Sequence, residues 1–332
     1  MSMYSIIVPV YNRPDEVAEL LESLAAQTVK NFEVVLIEDG SQTPCKEVAD
    51  GYADRLNINY VSKPNTGRSD SRNVGMQEAK GNFFIFFDSD CVIPPHYFKE
   101  VEKAVSEQNF DCFGGPDAAH SSFTDMQKAI SYTMTSFLTT GGIRGGKRQL
   151  EKFMPRTFNM GFKREAYEKV GGFKDMFGED IDLSLRIQEA GFSIVLVREA
   201  FVYHKRRVSM KKFYKQVNNF GKARVSLYLL HPKALKAVHA LPAVFTVGSA
   251  LLLILALVFW NWLWLTPLLA YILLLFGDAL RATRSLSIAL LALPVGFTQL
   301  IGYGVGFLQS YIEKVILKKG LEDAEYLKKH YK

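Results

Sequence analysis

Two long stretches without charged side chains lie in the last third of the chain, and they constrain its fold more than any other feature. Residues 240–277 and 285–312 contain no Asp, Glu, Lys or Arg. A helix needs about 20 predominantly apolar residues to cross a bilayer. The first stretch therefore has the length of two membrane helices joined by an aromatic-rich turn at residues 260–264, and the second has the length of one more.

These stretches divide the chain into three parts. Residues 1–235 mix charged and apolar side chains as soluble proteins do, residues 236–312 are expected to form two to three transmembrane helices, and residues 313–332 form a basic tail. No apolar signal segment precedes the first strand, which is expected to begin at residue 4. We therefore expect the first part to stay on the cytoplasmic side of the membrane.

Charged residues that flank the first two helices predict their orientation. Lys233 and Lys236 precede the first helix, and Arg281 and Arg284 follow the second. By the positive-inside rule both flanks are cytoplasmic, so the tryptophan-rich turn lies on the far side. We expect a multi-pass inner-membrane protein whose N-terminal domain lies on the cytoplasmic face.

The third apolar stretch fits this scheme less well. Pro294 and the glycines at 296, 302, 304 and 306 make it a poor uniform helix. We expect this segment to be re-entrant or to lie along the interface, which would leave the basic tail in the cytoplasm.

The first 235 residues predict an α/β fold. Apolar runs at residues 4–10, 32–37, 58–61 and 83–87 alternate with segments of helical period such as residues 15–27. The fourth run is apolar at every position, which is typical of a strand buried on both faces. This alternation indicates a doubly wound sheet with helices on both faces.

Acidic residues follow two of these strands. Asp39 lies after the second strand, and Asp88 and Asp90 lie after the fourth. Ligands of open α/β sheets bind across the carboxyl ends of the strands, so the three carboxylates should face one crevice. Asp39 can accept from a base N–H or a sugar hydroxyl, and Asp88 and Asp90 can share a hard cation such as Mg²⁺, which in turn holds a diphosphate. The alternative is a turn in which these side chains only cap backbone amides.

Further polar residues are candidates for the same crevice. Arg72, near the start of a helix, can face a diphosphate or be a solvated surface residue. Asn159 begins an ordered segment, and Glu179 and Asp180 open a helix, where acids are also ordinary caps. His204, at the end of a later strand, can complete a cation's coordination shell or be a hydrogen-bonded structural residue.

Residues 118–158 show no clear pattern. Two glycine pairs at 141–142 and 145–146 lie beside Arg144, Lys147 and Arg148. They suggest a mobile basic loop that closes over a charged ligand, or a disordered surface loop.

Charge and cysteine content narrow the classes of partner. Residues 205–224 carry eight Lys or Arg and no acid just before the first apolar stretch, which favours anionic membrane lipids or a lipid diphosphate over a solvated polar face. No nucleic-acid-binding module is recognisable, so we expect no nucleic-acid partner. Cys45, Cys91 and Cys112 form neither a disulfide framework nor a metal-binding spacing, as expected for reduced thiols in the cytosol.

Four short motifs occur in an order that points to a known family. They are Val8-Pro9-Val10-Tyr11-Asn12, Glu38-Asp39-Gly40-Ser41, Arg72-Asn73-Val74-Gly75 with Asp88-Ser89-Asp90, and Gly171-Gly172-Phe173 ahead of Glu179-Asp180. On these motifs, residues 4–224 resemble the family 2 glycosyltransferases, inverting enzymes with the GT-A fold that use nucleotide-sugar donors. The resemblance implies a GT-A type mixed sheet followed by membrane helices.

The resemblance also implies roles on the donor side. Pro9, Tyr11 and Asp39 would hold the nucleoside. Asp88 and Asp90 would handle the ribose and the metal-bound diphosphate, with Mn²⁺ or Mg²⁺ as the metal.

On the acceptor side, the resemblance implies that Asp180 is the catalytic base. Glu179 and Asn159 are candidates for acceptor contact or for a loop beside it. His204 resembles a histidine that contacts the metal in part of the family, and it would join Asp90 as a ligand.

Two departures from the family pattern are present. Glu38 replaces the first Asp of the usual Asp-Asp-Gly-Ser, while Asp39 keeps the matching position. The Gln-x-x-Arg-Trp motif of processive members is absent, since residues 216–220 do not match it. We therefore expect one sugar to be added per encounter.

Together these observations predict a metal-dependent hexosyl- or N-acetylhexosaminyltransferase of polysaccharide biosynthesis. Its donor would be a UDP-sugar by default, and its acceptor a hydroxyl of a lipid-linked or cell-surface glycan. Two alternatives stay open: transfer onto a polyprenyl phosphate, and an inactive membrane-tethered protein that binds sugar nucleotides or acts as a scaffold. The presence of Asp39, Asp88, Asp90 and Asp180 favours turnover.

Overall fold

The computed structural model describes residues 3–143, 150, 153–205 and 209–320, and it divides the chain into two compact units. The first unit comprises residues 1–120 and 153–205, and the second comprises residues 121–152 and 206–332. The strands are β1 (Tyr4–Val10), β2 (Phe32–Asp39), β3 (Ile58–Lys63), β4 (Phe83–Phe86), β5 (Cys91–Val92), β6 (Cys112–Gly114), β7 (Asp117–Ala118), β8 (Met160–Lys163), β9 (Ile194–Leu196) and β10 (Val202–His204).

The α-helices alternate with these strands and then continue without them. They are α1 (Pro14–Ala25), α2 (Lys46–Asp50), α3 (Arg68–Glu78), α4 (Tyr97–Glu107), α5 (Asp125–Thr135), α6 (Phe137–Thr140), α7 (Arg164–Val170), α8 (Glu179–Glu189), α9 (Met210–Leu230), α10 (Leu241–Val258), α11 (Thr266–Thr283) and α12 (Leu286–Tyr311). Short 3₁₀ turns occupy Pro232–Ala234, Ala237–Ala240 and Trp262–Leu265, and a π turn, Ile312–Ile316, follows α12.

The first unit is built on a seven-stranded sheet with the order β3-β2-β1-β4-β8-β6-β9. β8 runs antiparallel to β4 and β6, while the other neighbouring pairs are parallel. A second sheet pairs β5, β10 and β7. The predicted α/β class with a mixed sheet is confirmed.

The sheet is buried on both faces, as the apolar run in β4 predicts. On one face Tyr4, Ile6 and Val8 of β1 pack in one cluster with α1 and α4. On the other face Ile7 packs in a second cluster with Met76 of α3 and with apolar residues of α7 and α8. Alternate residues of one strand therefore support two layers of helices.

The second unit contains helices that the sequence patterns did not predict. Residues 118–158, which show no clear pattern in the sequence, include α5 and α6 between residues 125 and 140. Thr124 and Gln127 close a capping box at the start of α5, and the hydroxyl of Tyr132 donates to Asp278 of α11 at 2.6 Å. The polar helix α5 is thus stabilised by tertiary contacts, and the basic loop residues 144–149 lie outside the described residues.

The first apolar stretch forms two helices, α10 and α11, separated by the predicted aromatic turn. α11 continues past the uncharged residues to Thr283. Leucine, valine and tryptophan side chains of this pair are exposed, and Trp260 in the turn is 77% exposed. With α12, the chain has three helical segments that are long and apolar enough to cross a membrane.

The expectation that the third stretch is a poor uniform helix is wrong. α12 is one continuous helix of 26 residues that includes Pro294. Its glycines allow close packing, because a Cβ at Gly306 would lie 2.1 Å from the carbonyl oxygen of Asn218 in α9, and one at Gly304 would lie 2.4 Å from that of Pro242 in α10. Packing of neighbouring helices against these small residues outweighs their low helix propensity.

α9 packs along α12 in this second unit. A Cβ at Gly221 of α9 would lie 2.1 Å from the carbonyl oxygen of Tyr303, so the two backbones approach closely at this point too. Packing therefore groups α9 with the apolar helices. The domain boundary at residue 235, drawn from composition, stays a prediction.

We expect Gly306→Ala to destabilise the helical unit by about 1–3 kcal/mol, because the new methyl group would press on a backbone carbonyl that cannot rotate away. Gly248→Ala in α10 is the matched control, since a Cβ there meets no atom within 4 Å. It should leave stability unchanged or raise it by up to about 1 kcal/mol. Denaturation of both variants in detergent, followed by circular dichroism, measures the difference, and equal midpoints would contradict the packing argument.

Candidate active site

Polar side chains follow the adjacent parallel strands β3, β2, β1 and β4 where these strands end. Lys63 closes β3, Asp39 closes β2, Tyr11 follows β1, and Asp88 follows the apolar run of β4. Asp39 is directly paired in register with Lys63. Because β2, β1 and β4 are adjacent and parallel, Asp39 and Asp88 lie at the same edge of the sheet.

Asp39 is almost fully buried and accepts several hydrogen bonds. Its carboxylate accepts from the backbone amides of Thr66 and Gly67, both at 3.0 Å, and lies 2.5 Å from Lys63 Nζ. The side chain therefore fixes the loop between β3 and α3. The nucleoside contact stays a prediction.

Tyr11 directly follows β1, the neighbour of β2 in the sheet, and is exposed. Its side chain is 49% exposed, while Pro9 is half-buried within β1. The next residue, Asn12, has a positive φ of 55°, and its side-chain oxygen accepts from the amides of Gln42 and Thr43 at 2.7 and 3.1 Å. This anchored turn holds the ring at the open end of the strand.

Glu38, the departure from the family pattern, has a structural role. It is buried, accepts from the backbone amide of Cys45 at 2.7 Å and from the hydroxyl of Tyr60 at 3.2 Å, and also binds the Ser41 hydroxyl. The carboxylate thus fixes the turn that leads from β2 to α2.

The metal candidates Asp90 and His204 lie next to each other. His204 Nε2 is 3.1 Å from Asp90 Oδ1 and 4.0 Å from Asp88 Oδ2. β10 brings the histidine there, because His204 pairs in register with Cys91 of β5. Arg13 Nη1 lies 3.5 Å from the other oxygen of Asp90.

The donor atoms at this point fit a divalent cation. One oxygen or nitrogen of Asp90 and His204 and the buried Cys91 sulfur lie within 4.8 Å of one another. Among the described residues, no donor forms a well-aligned hydrogen bond with the buried Asp90 Oδ1. Burial raises the pKa of Asp90, but His204 and Arg13 outweigh it and hold the pKa below its usual value of 3.8, so the carboxylate stays ionised.

Arg72 joins this cluster to α8. Its side chain is only 2% exposed, and its terminal nitrogens lie 2.8 Å from Asp88 Oδ1 and 3.2 Å from Glu179 Oε1. Arg68 binds the same Glu179 at 3.0 Å. Arg72 therefore positions two acids in this structure, and its contact with a diphosphate stays a prediction.

Glu179 is a buried acid between two arginines. Burial and the neighbouring Asp180 raise its pKa above the usual 4.5, while Arg68 and Arg72 act in the opposite direction. The next residue, Asp180, is more accessible. Its Oδ1 accepts from the amide of Ile181 at 2.8 Å, and Arg156 Nη1 lies 3.9 Å from Oδ2.

The segment before α8 is clamped from two sides. Arg186 donates to the carbonyl oxygens of Val170 and Gly172 at 2.6 and 2.7 Å. From α3, the amide of Asn73 donates to the carbonyl of Phe173 at 2.9 Å and accepts from its N–H at 2.8 Å. A Cβ at Gly172 would lie 2.3 Å from the side-chain oxygen of Asn73, so the glycine permits this approach.

Asp182 anchors this clamp. It is fully buried, with one oxygen 3.3 Å from Lys174 Nζ and the other 2.8 Å from Arg186. Because α8 carries Asp180 only half a turn earlier, the network fixes the direction in which the candidate base points.

Asn159 lies in the core of the first unit. It is fully buried, accepts from the Tyr97 hydroxyl at 2.6 Å and donates to the carbonyls of Ala200 and Pro116 at 2.7 and 3.4 Å. These bonds tie the start of α4 to two loops. A contact with an acceptor stays a prediction.

The sequence motifs missed several residues that contact the candidates. They are Arg13, Lys63 and Arg156. Lys63 carried a usable signal, since it ends a strand in the same way as Asp39 does. Arg156 lay in the region without a pattern, and only tertiary structure brings it beside Asp180.

Several known proteins resemble this chain in sequence or in fold. Glycosyltransferase AglE of Haloferax volcanii is 26% identical over 262 residues, which cover 74% of this chain and 80% of that protein. The mannosyltransferase PcManGT from Pyrobaculum calidifontis, solved with GDP-Man and Mn²⁺, has a TM-score of 0.60 at 16% identity and covers 94% of this chain and 88% of its own. S. aureus TarS in complex with UDP has a TM-score of 0.50 at 20% identity and covers 93% and 90%. These two structures establish the likeness of fold.

The family itself is identified by a sequence model. The model described as glycosyl transferase family 2 matches residues 5–171, which include the candidate donor residues and half of the chain. With the mixed α/β sheet and the acids at its edge, the chain belongs to glycosyl transferase family 2.

Proposed function

We propose that this family member is a metal-dependent inverting transferase that moves one sugar from a nucleotide-sugar donor, a UDP-sugar by default, to a hydroxyl of a lipid-linked or cell-surface glycan. The hexosyl- and N-acetylhexosaminyl-transferase classes are the candidates. One observation carries the proposal. Arg72 joins Asp88, beside the metal candidates, to Glu179, beside the candidate base, so both halves of a transfer site adjoin.

The strand order supports a direction for the donor. Tyr11, Asp39 and the neighbouring Pro9 would hold the nucleoside, while Asp88 and Asp90 at the end of β4 would face the ribose and the diphosphate. PcManGT binds GDP-Man and TarS binds UDP. Both neighbours therefore support a nucleotide-sugar donor for this fold.

Asp90 and His204 would hold the cation, with Mn²⁺ or Mg²⁺ as the candidates. The Mn²⁺ bound to PcManGT supports the use of a divalent metal by this fold. When bound, the cation would stabilise the charge on the departing nucleotide diphosphate. Arg13, 3.5 Å from Asp90, keeps that carboxylate oriented and ionised. The sulfur of Cys91 lies within 4.8 Å of the ligand atoms of Asp90 and His204, so it would also lie close to the ion.

Asp180 would act as the base. An acceptor hydroxyl is a poor nucleophile, so its proton must pass to a carboxylate as the oxygen attacks the anomeric carbon. Attack from the side opposite the leaving group inverts the anomeric centre. Arg156 near Oδ2 and the clamp around α8 support this role, since they hold the carboxylate at one position.

The membrane context supports an acceptor that is itself at the membrane. Three helical segments are long enough to cross a bilayer, and α9, which carries Lys211, Lys212 and Lys215, packs along one of them. Basic side chains next to apolar helices attract anionic headgroups. We propose that the first unit, residues 1–120 and 153–205, is the catalytic unit. It would lie on the cytoplasmic face of the inner membrane, with membrane lipids as partners.

The decisive experiment is a panel of nucleotide sugars with Mn²⁺ or Mg²⁺ and purified protein in detergent. The proposal is supported if one sugar is transferred for each nucleoside diphosphate released and the anomeric configuration of the product is inverted. Sugar on a polyprenyl phosphate would favour the alternative acceptor. Binding without hydrolysis or transfer from any donor would favour the inactive scaffold.

We expect Asp90→Ala to weaken Mn²⁺-dependent nucleotide binding by about 10- to 100-fold, because it removes an oxygen ligand from a site with few others. Asp111→Ala is the control, since Asp111 binds Lys163 and Ser193 at the far end of the sheet. Calorimetry with UDP, with and without Mn²⁺, measures the effect. An unchanged metal dependence in Asp90→Ala would remove this residue as a ligand.

A further inference from the structure

Three neighbouring strand ends form a surface of distinct chemistry. Along the sheet order β3-β2-β1 they carry the ammonium of Lys63, the carboxylate of Asp39 and the exposed ring of Tyr11. An aromatic ring beside a paired donor and acceptor is the arrangement by which proteins stack a nucleobase and read its edge.

Lys63 is held at this surface by several oxygens. Its side chain is 12% exposed, and Nζ lies 2.5 Å from Asp39 Oδ1, 3.0 Å from Asp70 Oδ2 and 3.3 Å from the carbonyl of Pro64, and it also contacts the Thr66 hydroxyl. An ammonium has three protons for these four oxygens. The contacts with the half-exposed Asp70 and with Pro64 are the ones that a ligand's carbonyl oxygen would replace.

Asp39 retains capacity for one further donor. Oδ1 accepts from Thr66 and Lys63, whereas Oδ2 accepts only from Gly67 among the bonds of the described residues. A carboxylate offers about four acceptor positions. Oδ2 can therefore still accept a base N–H.

Arg72, the other cation considered for the donor, is engaged elsewhere. Its terminal nitrogens bind Asp88 and Glu179. Among the described residues, Lys63 is the cation that pairs with Asp39.

We propose that Lys63 and Asp39 together determine which nucleobase the donor carries, an inference that rests on the proposed nucleotide-sugar function. The pair presents an acceptor beside a donor, which matches a base whose ring N–H lies next to a carbonyl. Uracil, thymine and guanine have this edge. Cytosine and adenine present a ring-nitrogen lone pair to the carboxylate and an amino group to the ammonium, so both contacts become repulsive.

The test is calorimetric titration of the full-length protein in detergent with UDP, CDP, GDP and ADP in the presence of Mn²⁺. We expect UDP to bind at least about tenfold more tightly than CDP, and GDP more tightly than ADP, because a mismatched edge leaves buried polar groups unpaired. Lys63→Met should reduce the preference for UDP over CDP at least about fivefold, and Lys63→Arg should retain most of it.

Lys46→Met is the matched control, because Lys46 pairs with Asp50 on the exposed surface of α2. It should leave the ratio of the UDP and CDP affinities unchanged. Equal affinity of the wild-type protein for UDP and CDP overturns the inference while leaving the proposed function intact. Equal weakening of both nucleotides by Lys63→Met also overturns it, since Lys63 would then only fix the loop. Failure of all four diphosphates to bind overturns the inference and the proposed function together.

Discussion

Asp180→Asn is expected to lower the rate of sugar transfer by about 10²- to 10⁴-fold while leaving the affinity for the nucleoside diphosphate nearly unchanged. A positioned base contributes about this factor, and asparagine keeps the shape of the side chain without its basicity. Asp180 lies on α8, whereas the proposed metal residues Asp90 and His204 follow β4 and close β10. The proposed nucleoside residues lie at the ends of β2 and β1. The substitution should therefore separate kcat from donor binding.

The matched control is Asp175→Asn. Asp175 is an exposed acid five residues before Asp180 in the same segment. Single-turnover transfer and calorimetry with UDP and Mn²⁺ measure the two quantities for both variants. Unaltered turnover in Asp180→Asn would remove Asp180 as the base, and a parallel loss of UDP affinity would place it on the donor side.

Local sequence patterns were sufficient to predict the α/β fold and the acidic residues at the carboxyl ends of its strands. The apolar run at Phe83–Phe86 and the acids after it predict a buried strand and a site, because both signals arise within a few residues. The helices α10 and α11 were equally visible, since length and hydropathy decide them.

Other features depend on tertiary contacts and were not predictable from local sequence. α5 is a polar helix whose Tyr132 binds Asp278, which lies 146 residues further along the chain. α12 was misjudged because its glycines lower intrinsic helix propensity, whereas their effect in the fold is to admit neighbouring backbones.

The same limit applies within the site. Arg72 is part of a sequence motif and was a candidate for contact with a diphosphate. In the structure it pairs with Asp88 and Glu179, which lie 16 and 107 residues away. Sequence can identify a charged residue near a site, but the partner of that charge is set by the fold. The variants proposed above therefore test the roles of the candidate residues.

Asp182→Asn is expected to lower the stability of the fold around the candidate base. Asp182 is fully buried two residues after Asp180 and pairs with the cations of Lys174 and Arg186. Asp182→Asn keeps the size of the side chain but leaves the cations of Lys174 and Arg186 without their buried counter-ion. Removal of one partner from such a pair costs about 3–5 kcal/mol. The catalytic unit should remain folded, since domains are stable by about 5–15 kcal/mol, but it should open far more often.

Thiol labelling measures this opening in the catalytic unit alone, because Cys45, Cys91 and Cys112 all lie there and all are buried. Burial raises the pKa of Cys45 to about 12, so its thiol reacts slowly until the unit opens. We expect labelling of Asp182→Asn to be about 10²- to 10³-fold faster than in the wild type. Glu168→Gln, which removes an exposed acid from α7, should label at the wild-type rate. If both variants labelled equally slowly, the buried ion pairs would contribute nothing to stability, and α8 would have to be positioned by its apolar contacts through Leu183 and Ile187 instead.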